Sequence, residues 1–422
     1  MNFLPILEKF CLYSGILISL LYAYQVLYLF VPRFLRDRRS APAKPNRYAI
    51  LIAARNEEAV LPYLLESIRA QDYPAERIDT YVIADNCTDE TARVAAEGGA
   101  TVYLRFNRRE VGKGYALQYL IEQLRMAGKL DQYDAFLIFD ADNLLESDYI
   151  TKINSLPSRG YQAFCGYRNS KNFGSTWVSM GSALWYLHQS AFLNQSRYLL
   201  GSSASVSGTG FGFTRALLEK MGGWNFLTLT EDIEFSTWCA AAGVKIGYCN
   251  DAVLYDEQPL TFRQSWVQRT RWAKGGIQVS VRYLGAMLRG LFRFGWVGWA
   301  CLELLTLSLW GFGFTGVFSV AVWALSFLMG KGLPLLPRAF LVAYGSLVFV
   351  GAWTTAREWR RIRAGTAKKI QAIFAFPIYV MTFAPITLWA LVAKKQWQPI
   401  RHTVAISAKD LAHDNDPFLK AG

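Results

Sequence analysis

Long apolar stretches at both ends of the chain are its most visible pattern. About 21 uncharged residues run from Cys11 to Val31, enough for a helix to cross a hydrocarbon layer of roughly 30 Å. Further apolar stretches run from Trp296 to Met329, from Ala339 to Ala356 and from Ala372 to Ala393. The pattern predicts one N-terminal transmembrane helix and a C-terminal bundle of about three or four transmembrane segments.

The charges beside the first stretch indicate a membrane anchor rather than a signal peptide. A signal peptide carries its positive charge before the apolar run. Here the charge follows the run, at Arg33, Arg36, Arg38 and Arg39. The positive-inside rule then places residues 33–47 and the basic cluster at 357–369 in the cytoplasm, provided that Trp296–Met329 crosses the membrane once.

The C-terminal stretches leave two alternatives open. Trp296–Met329 fits one tilted helix or a tight pair broken near Gly311, Gly313 and Gly316. If it crosses once, the basic residues after Ala372–Ala393 face outward, against the positive-inside rule, unless prolines bend that segment. Those residues are Lys394, Lys395, Arg401 and His402.

Residues 46–276, between the apolar ends, show alternating strand and helix patterns. Apolar runs at Tyr48–Ala54, Tyr81–Ala84, Thr101–Leu104 and Ala135–Phe139 are separated by stretches of helical periodicity, the first at Glu57–Gln71. This alternation predicts an α/β domain with a mostly parallel sheet. The predicted organisation is therefore as follows: 1–45 helix and basic flank, 46–276 cytoplasmic domain, 258–295 amphipathic interfacial helices, 296–393 transmembrane segments, and 394–422 a tail too short to fold alone.

Composition narrows the class of protein. Of 422 residues, 52% are apolar and only 18% are charged, while the net charge is +13. Disorder is excluded, and a basic nucleic-acid-binding protein would carry more charge, so no nucleic-acid partner is expected. The six cysteines include no C-x-x-C pair, so we expect free thiols in a reducing compartment.

Acidic residues directly after two predicted strands suggest a ligand site that includes a metal ion. Asp85 follows one strand, and Asp140 and Asp142 follow another. In parallel sheets, ligands bind at the carboxyl ends of strands, and paired carboxylates suit Mg²⁺ or Mn²⁺. Each residue alone also fits a loop start or a helix cap.

Three further motifs combine charge with a position suited to anions or sugars. Lys113 lies between two glycines and could approach a phosphate, although an exposed turn explains it equally and the spacing is not that of a phosphate-binding loop. Thr230-Glu231-Asp232 precedes a helical pattern, so Thr230 also fits a helix cap. Gln268-Arg269-Thr270-Arg271-Trp272 lies in a stretch, 258–302, with seven basic residues and no acidic one, which is also typical of a helix on an anionic membrane surface.

Taken together, these motifs resemble those of the membrane-embedded processive family 2 glycosyltransferases, relatives of cellulose, hyaluronan, chitin-oligosaccharide and poly-N-acetylglucosamine synthases. The resemblance covers residues 48–276, in the order and at the rough spacing of that family. It implies a GT-A fold inserted between the N-terminal helix and the C-terminal segments. It also implies a divalent cation, Mg²⁺ or Mn²⁺, and a UDP-sugar donor.

The resemblance further assigns roles to individual residues. Asp232 corresponds to the general base, and Asp142, with Asp140, to the metal site. The residues expected to bind the donor are Arg55, Glu57, Asp85, Lys113 and Asp140, and Glu231 is expected to bind substrate. Those expected on the acceptor and diphosphate side are Gly208, Thr209, Gly210, Gln268, Arg269, Arg271 and Trp272.

The implied chemistry is an inverting single displacement that yields a β-glycoside. The leading hypothesis is a synthase that elongates a β-linked polysaccharide at the cytoplasmic membrane face and translocates it, with UDP-glucose favoured over UDP-N-acetylglucosamine. The alternative is the transfer of one or a few sugars to a membrane lipid. Few C-terminal spans are predicted, so a channel for a polymer would require a homo-oligomer.

Overall fold

The computed structural model describes residues 4–37, 44–308, 311, 319–321, 324–325, 327–328, 330, 332–393, 402–407 and 410. Its strands are β1 (Tyr48–Ala54), β2 (Ile78–Asp85), β3 (Thr101–Arg105), β4 (Ala135–Asp140), β5 (Leu144–Leu145), β6 (Ala163–Ser170), β7 (Phe211–Thr214) and β8 (Ile246–Asp256). Its helices up to the middle of the domain are α1 (Leu4–Tyr28), α2 (Val31–Phe34), α3 (Leu61–Arg69), α4 (Thr91–Glu97), α5 (Lys113–Met126), α6 (Tyr149–Ile153), α7 (Ser155–Ser158) and α8 (Trp177–His188).

The remaining helices are α9 (Gln195–Leu199), α10 (Arg215–Lys220), α11 (Glu231–Ala242), α12 (Phe262–Leu291), α13 (Trp296–Thr306), α14 (Gly332–Arg357), α15 (Thr366–Met381) and α16 (Phe383–Val392). One π-helical turn, Gln189–Asn194, joins α8 to α9. Short 3₁₀ turns lie at Ala75–Arg77 and Leu130–Gln132.

The strands form one eight-stranded sheet in the order β3-β2-β1-β4-β7-β6-β8-β5. The first four strands of that order are parallel to one another, as predicted. However, β7 runs antiparallel to both β4 and β6, and β5 runs antiparallel to β8. The expectation of a mostly parallel sheet is therefore corrected to a mixed sheet, because β7, in the middle of the sheet, runs opposite to both of its neighbours.

The central strands are buried on both faces, which explains their continuous apolar sequences. Ile50, Leu51 and Ile52 of β1 and Leu137 and Ile138 of β4 are fully inaccessible to solvent. Such a sheet needs helices on both sides, and α3 and α5 provide apolar faces of Leu and Ile for this purpose. The polar residues that follow β1, β2 and β4 consequently meet at one edge of the sheet.

Within the described residues, two helical segments are long and apolar enough to cross a membrane: Leu12–Phe34 and Thr366–Val392. The second comprises α15 and α16, with a bend at Thr382. The predicted Trp296–Met329 stretch begins with the short apolar helix α13, which ends at Thr306. Gly313, Gly316, Lys394, Lys395 and Arg401 lie outside the described residues.

The basic stretch predicted as interfacial helices forms the single 30-residue helix α12. It packs against α11 of the domain and also against α13 and α16. The helix therefore lies between the edge of the sheet and the apolar C-terminal segments. Five cysteines whose side chains the structure describes are free thiols: Cys87, Cys165, Cys239, Cys249 and Cys301.

Candidate active site

A cleft of about 150 Å³ opens at the carboxyl ends of β1, β2 and β4. Parallel strands bring their carboxyl ends to one edge, so residues far apart in sequence meet there. Eight of the residues predicted from sequence line the cleft: Arg55, Glu57, Asp85, Lys113, Asp140, Asp142, Gln268 and Arg271. The arrangement is thus the one expected of a site built on strand ends, with α12 as its far wall.

Asp85 is held rigidly at the end of β2. Its Oδ1 accepts hydrogen bonds from Arg105 Nη1 at 2.7 Å and from Asn86 Nδ2 at 3.0 Å. Asn86 has φ of 54° and Asn56, after β1, has φ of 58°, a left-handed conformation that is uncommon outside glycine. The two asparagines therefore turn the chain sharply at neighbouring strand ends, and such strained positions are frequent at ligand sites.

Lys113 links the acidic pair to the loop before β7. Its Nζ lies 2.5 Å from Asp140 Oδ1 and donates to the Gly208 carbonyl at 2.8 Å. Burial lowers the pKa of Lys113, but Asp140 and Glu231 outweigh burial and the pKa is raised overall. Burial likewise raises the pKa of Asp140, yet Lys113 brings it below its ordinary value. The two groups are therefore a charged pair at neutral pH.

Three carboxylates, those of Asp140, Asp142 and Asp256, bring one oxygen each within 4.8 Å of the others. Asp142 Oδ2 accepts the Glu257 N–H at 3.0 Å. Burial raises the pKa of Asp256 to about 7 despite its ion pair with Arg168. Oxygen ligands clustered in this way suit a hard divalent cation such as Mg²⁺ or Mn²⁺, so the residues present fit the predicted ion.

Asp232 lies at the first turn of α11, beside the cleft. Its Oδ2 accepts the Gly208 N–H at 2.6 Å, and Gly208 adopts a left-handed φ of 82° that presents this N–H. Burial raises the pKa of Asp232, as it does for Glu231, where burial and the neighbouring Asp232 raise the pKa to about 7. A carboxylate whose proton affinity is raised in this way is a suitable general base near neutral pH.

Helix α12 contributes Gln268 and Arg271 to the cleft. Trp272 is half-buried beside it, edge-on to the ring of Tyr186 at a centroid distance of 6.1 Å. The prediction for Arg269 is corrected, because this side chain is fully buried and turns away from the cleft toward Tyr379 and Thr382.

In the loop formed by Gly208, Thr209 and Gly210, the first residue lies at the site and the other two lie beneath it. The Thr209 hydroxyl accepts the Asp140 N–H at 2.9 Å and hydrogen-bonds Asn143, so it supports the acidic turn. A Cβ on Gly210 would lie 1.9 Å from a Leu254 methyl carbon, so this glycine is required for packing. The expected acceptor-side position is thus occupied by Gly208 alone.

Sequence reasoning missed four residues with charged or ionisable side chains that line the cleft: Arg168, Asp256, Glu257 and His402. Asp256 ends β8 and follows an apolar run, the same signal that identified Asp140. Arg168 ends up beneath the cleft, with its guanidinium carbon 3.7 Å from the centroid of the Tyr186 ring. Its position on β6 gave no comparable signal.

The C-terminal tail also reaches the cleft, which no sequence pattern indicated. His402 Nδ1 lies 2.9 Å from Glu57 Oε1, and the N–H groups of Thr403 and Val404 each donate to Glu257 at 3.0 Å. Burial lowers the pKa of His402, but Asp142 and Glu57 raise it to about 10, so the ring is protonated at neutral pH. The sequence left the side of the membrane on which His402 lies open, and the structure places this residue at the cleft.

Comparison with known proteins places the chain in a family. Residues 45–275, more than half of the chain, match the family described as "Glycosyltransferase like family 2". Beta-monoglucosyldiacylglycerol synthase of Synechocystis sp. is 28% identical over 56% of this chain and 48% of its own length. Poly-beta-1,6-N-acetyl-D-glucosamine synthase of Staphylococcus epidermidis is 26% identical over 65% of this chain and 66% of its own length.

The chain thus spans about half to two thirds of the length of these relatives. Among solved structures, a mannosyltransferase from Pyrobaculum calidifontis in complex with GDP-Man and Mn²⁺ superposes with a TM-score of 0.57 at 18% identity. The match covers 91% of this chain and 99% of that protein, and it supports the GT-A-like fold. The chain therefore belongs to glycosyltransferase family 2.

Proposed function

We propose that this glycosyltransferase transfers a sugar from a UDP-sugar to a hydroxyl acceptor with inversion at the anomeric carbon. One observation carries the proposal: the Gly208 peptide joins the two halves of the site. Its N–H binds Asp232, and its carbonyl binds Lys113, which pairs with Asp140. The proposed base for the acceptor, Asp232, and the positive charge for the diphosphate, Lys113, are thereby held at a fixed separation.

Each half of the site has a separate task in this reaction. Asp232 takes the proton from the attacking hydroxyl, while Gly208 orients the carboxylate. Arg271 and Gln268, across the cleft, receive the leaving diphosphate, and Lys113 provides a further positive charge. A divalent cation held by Asp140 and Asp142 would stabilise negative charge on the diphosphate. Because one displacement occurs, an α-linked donor gives a β-glycoside.

The donor base is proposed to lie against Asp85, Arg55 and Glu57, at the ends of β1 and β2. These residues line the same cleft as Gln268 and Arg271 of α12. The Asp85 carboxylate, fixed by Arg105, is suited to accept a hydrogen bond from a uracil ring N–H. UDP-glucose is favoured, with UDP-N-acetylglucosamine as the other donor.

The proposed acceptor is a growing β-linked glycan. Trp272 and Tyr186 form an aromatic pair beside the cleft, and aromatic faces pack against the apolar side of a sugar ring. Similarity to a poly-β-1,6-N-acetylglucosamine synthase over 65% of the chain also supports a polymer. On this proposal the enzyme lies in the cell membrane, with its catalytic domain in the cytoplasm, and translocates its product.

A membrane lipid is the second candidate acceptor, for a specific reason. Only two segments among the described residues are long and apolar enough to span a membrane, which gives few helices to enclose a polymer. The β-monoglucosyldiacylglycerol synthases are similar over about the same domain. A polymer channel would therefore require a homo-oligomer, whereas lipid glycosylation would not.

The test is incubation of the detergent-purified protein with each common UDP-sugar and either Mg²⁺ or Mn²⁺, followed by sizing of the product. A synthase gives high-molecular-weight glycan together with released UDP. Product found only in the organic phase, with steady UDP release, would replace the polymer by the lipid acceptor. No UDP release from any UDP-sugar would overturn both versions.

A further inference from the structure

Helix α12 has a second contact surface in addition to its cleft-facing residues. Two of its basic side chains, Arg269 and Lys274, point toward α15 and α16, the two halves of the apolar segment Thr366–Val392. The sequence favoured contact of these charges with substrate or anionic lipid. In the structure these side chains instead donate to the main-chain carbonyls of Tyr379, Ala390 and Ala393 and to the Thr382 hydroxyl.

Arg269 binds the segment at its bend. Nη1 donates to the Tyr379 carbonyl at 2.9 Å and to Thr382 Oγ1 at 2.7 Å. The guanidinium carbon also lies 4.3 Å from the centroid of the Tyr379 ring and 4.8 Å from that of Phe383. Since α15 ends at Met381 and α16 begins at Phe383, this fully buried arginine is fixed at the junction between the two helices.

Lys274 binds the other end of α16. Its Nζ donates to the carbonyls of Ala390 and Ala393 at 3.1 and 3.0 Å. Carbonyls in the last turn of a helix lack partners within the helix and carry partial negative charge, so a lysine is a favourable cap there. Arg269 and Lys274 together attach both ends of α16 to α12.

The same part of α12 fits closely against the catalytic motif. A Cβ on Gly275 would lie 2.4 Å from Thr230 Oγ1, and Gln278 Oε1 accepts the Leu229 N–H at 3.1 Å. The helix that carries Gln268 and Arg271 is therefore held between the start of α11 on one side and the apolar segment on the other. A shift of α12 would move both cleft-lining side chains at once.

We propose that Arg269 and Lys274 are positioning residues, which hold Gln268 and Arg271 at the diphosphate by attaching α12 to the last apolar segment. The proposal rests on the proposed function in assigning the diphosphate role. It makes the apolar segment part of the transferase geometry rather than an anchor alone.

The test combines kinetics with an exchange measurement that needs no substrate. Arg269→Met should lower kcat for UDP release by about tenfold or more, because small displacements of a charge-stabilising group are costly. The KM for the donor should change by less than about threefold, since its proposed base contacts lie on β1 and β2. Arg269→Lys should recover part of kcat. In the Arg271→Ala background, Arg269→Met should have a smaller further effect than in the wild type, because one of the two side chains that it positions is already absent.

Amide hydrogen exchange of a peptide covering 379–393 should rise in Arg269→Met and Lys274→Met. Arg289→Met is the matched control, because Arg289 is an exposed arginine of the same helix, and both kcat and exchange should stay at wild-type values. Increased exchange with unchanged kcat would reduce the two residues to a structural role and overturn the proposal, as would unchanged exchange. Absence of UDP release in the wild type would instead refute the proposed function, while the exchange experiment would still decide whether the attachment exists.

Discussion

Replacement of Asp232 by asparagine separates the chemical role of this carboxylate from its structural role. Its Oδ2 accepts the Gly208 N–H at 2.6 Å, and an asparagine side-chain oxygen can accept the same bond. Burial raises the pKa of Asp232, which means that the folded environment disfavours the charged form, and a neutral amide removes that penalty. Asp232→Asn should therefore change the free energy of unfolding by less than about 1 kcal/mol, or increase it.

Its effect on catalysis should be far larger. General base catalysis contributes about 10²- to 10⁴-fold, which corresponds to roughly 3 to 5.5 kcal/mol of transition-state stabilisation. UDP release should fall by that factor, while calorimetry shows UDP affinity within about threefold of wild type. Thermal unfolding and UDP binding of the same preparation serve as controls for folding. Retention of more than about a tenth of wild-type turnover would refute the assignment of Asp232 as the base.

Three further perturbations test other parts of the site. Asp142→Ala should abolish both activity and the enhancement of UDP binding by Mg²⁺ or Mn²⁺, and equal UDP affinity of the wild type with and without metal, measured by calorimetry, would contradict the metal site. Burial and Asp232 raise the pKa of Glu231 to about 7, so protonation of this coupled pair should reduce turnover as pH falls through 7. Between its ordinary and its raised pKa, Glu231 binds more protons in the folded state than in the unfolded state, so its contribution to stability should increase as pH falls. Glu231→Gln should remove this pH dependence from the free energy of unfolding. Trp272→Ala should weaken acceptor binding by roughly 1 to 3 kcal/mol and shorten the glycan product seen by size-exclusion chromatography, whereas an unchanged size distribution would exclude Trp272 from the acceptor path.

Parts of the fold that depend on local sequence were predicted well. The apolar run Tyr48–Ala54 is strand β1 with the same bounds, and Asp85 and Asp140 are the last residues of β2 and β4. A parallel strand that is buried on both faces has a continuous apolar sequence, and polar residues mark its end. The clustering of Asp85 and Asp140 in one cleft then followed from the general geometry of such sheets, whereas Lys113 was expected there from the family resemblance.

The features that sequence reasoning missed depend on contacts between distant parts of the chain. Arg269 and Arg271 are two residues apart on α12, so they necessarily point in different directions, yet only the packing of α15 determines which one faces the cleft. The reversed direction of β7 likewise depends on its neighbours β4 and β6, which are distant in sequence. His402 reaches Glu57 across 345 positions of sequence, and no periodicity reports such a contact.

In the proposed reaction, a sugar is transferred with inversion from a UDP-sugar that lies in the cleft near Asp140 and Asp232. The most direct measurement is the anomeric configuration of the product, determined by proton NMR after reaction of the purified protein with an α-linked UDP-sugar. A single displacement predicts β-glycosidic linkages in every newly added residue. Newly formed α-linkages would show retention and would contradict the role of Asp232 as the base of a single displacement.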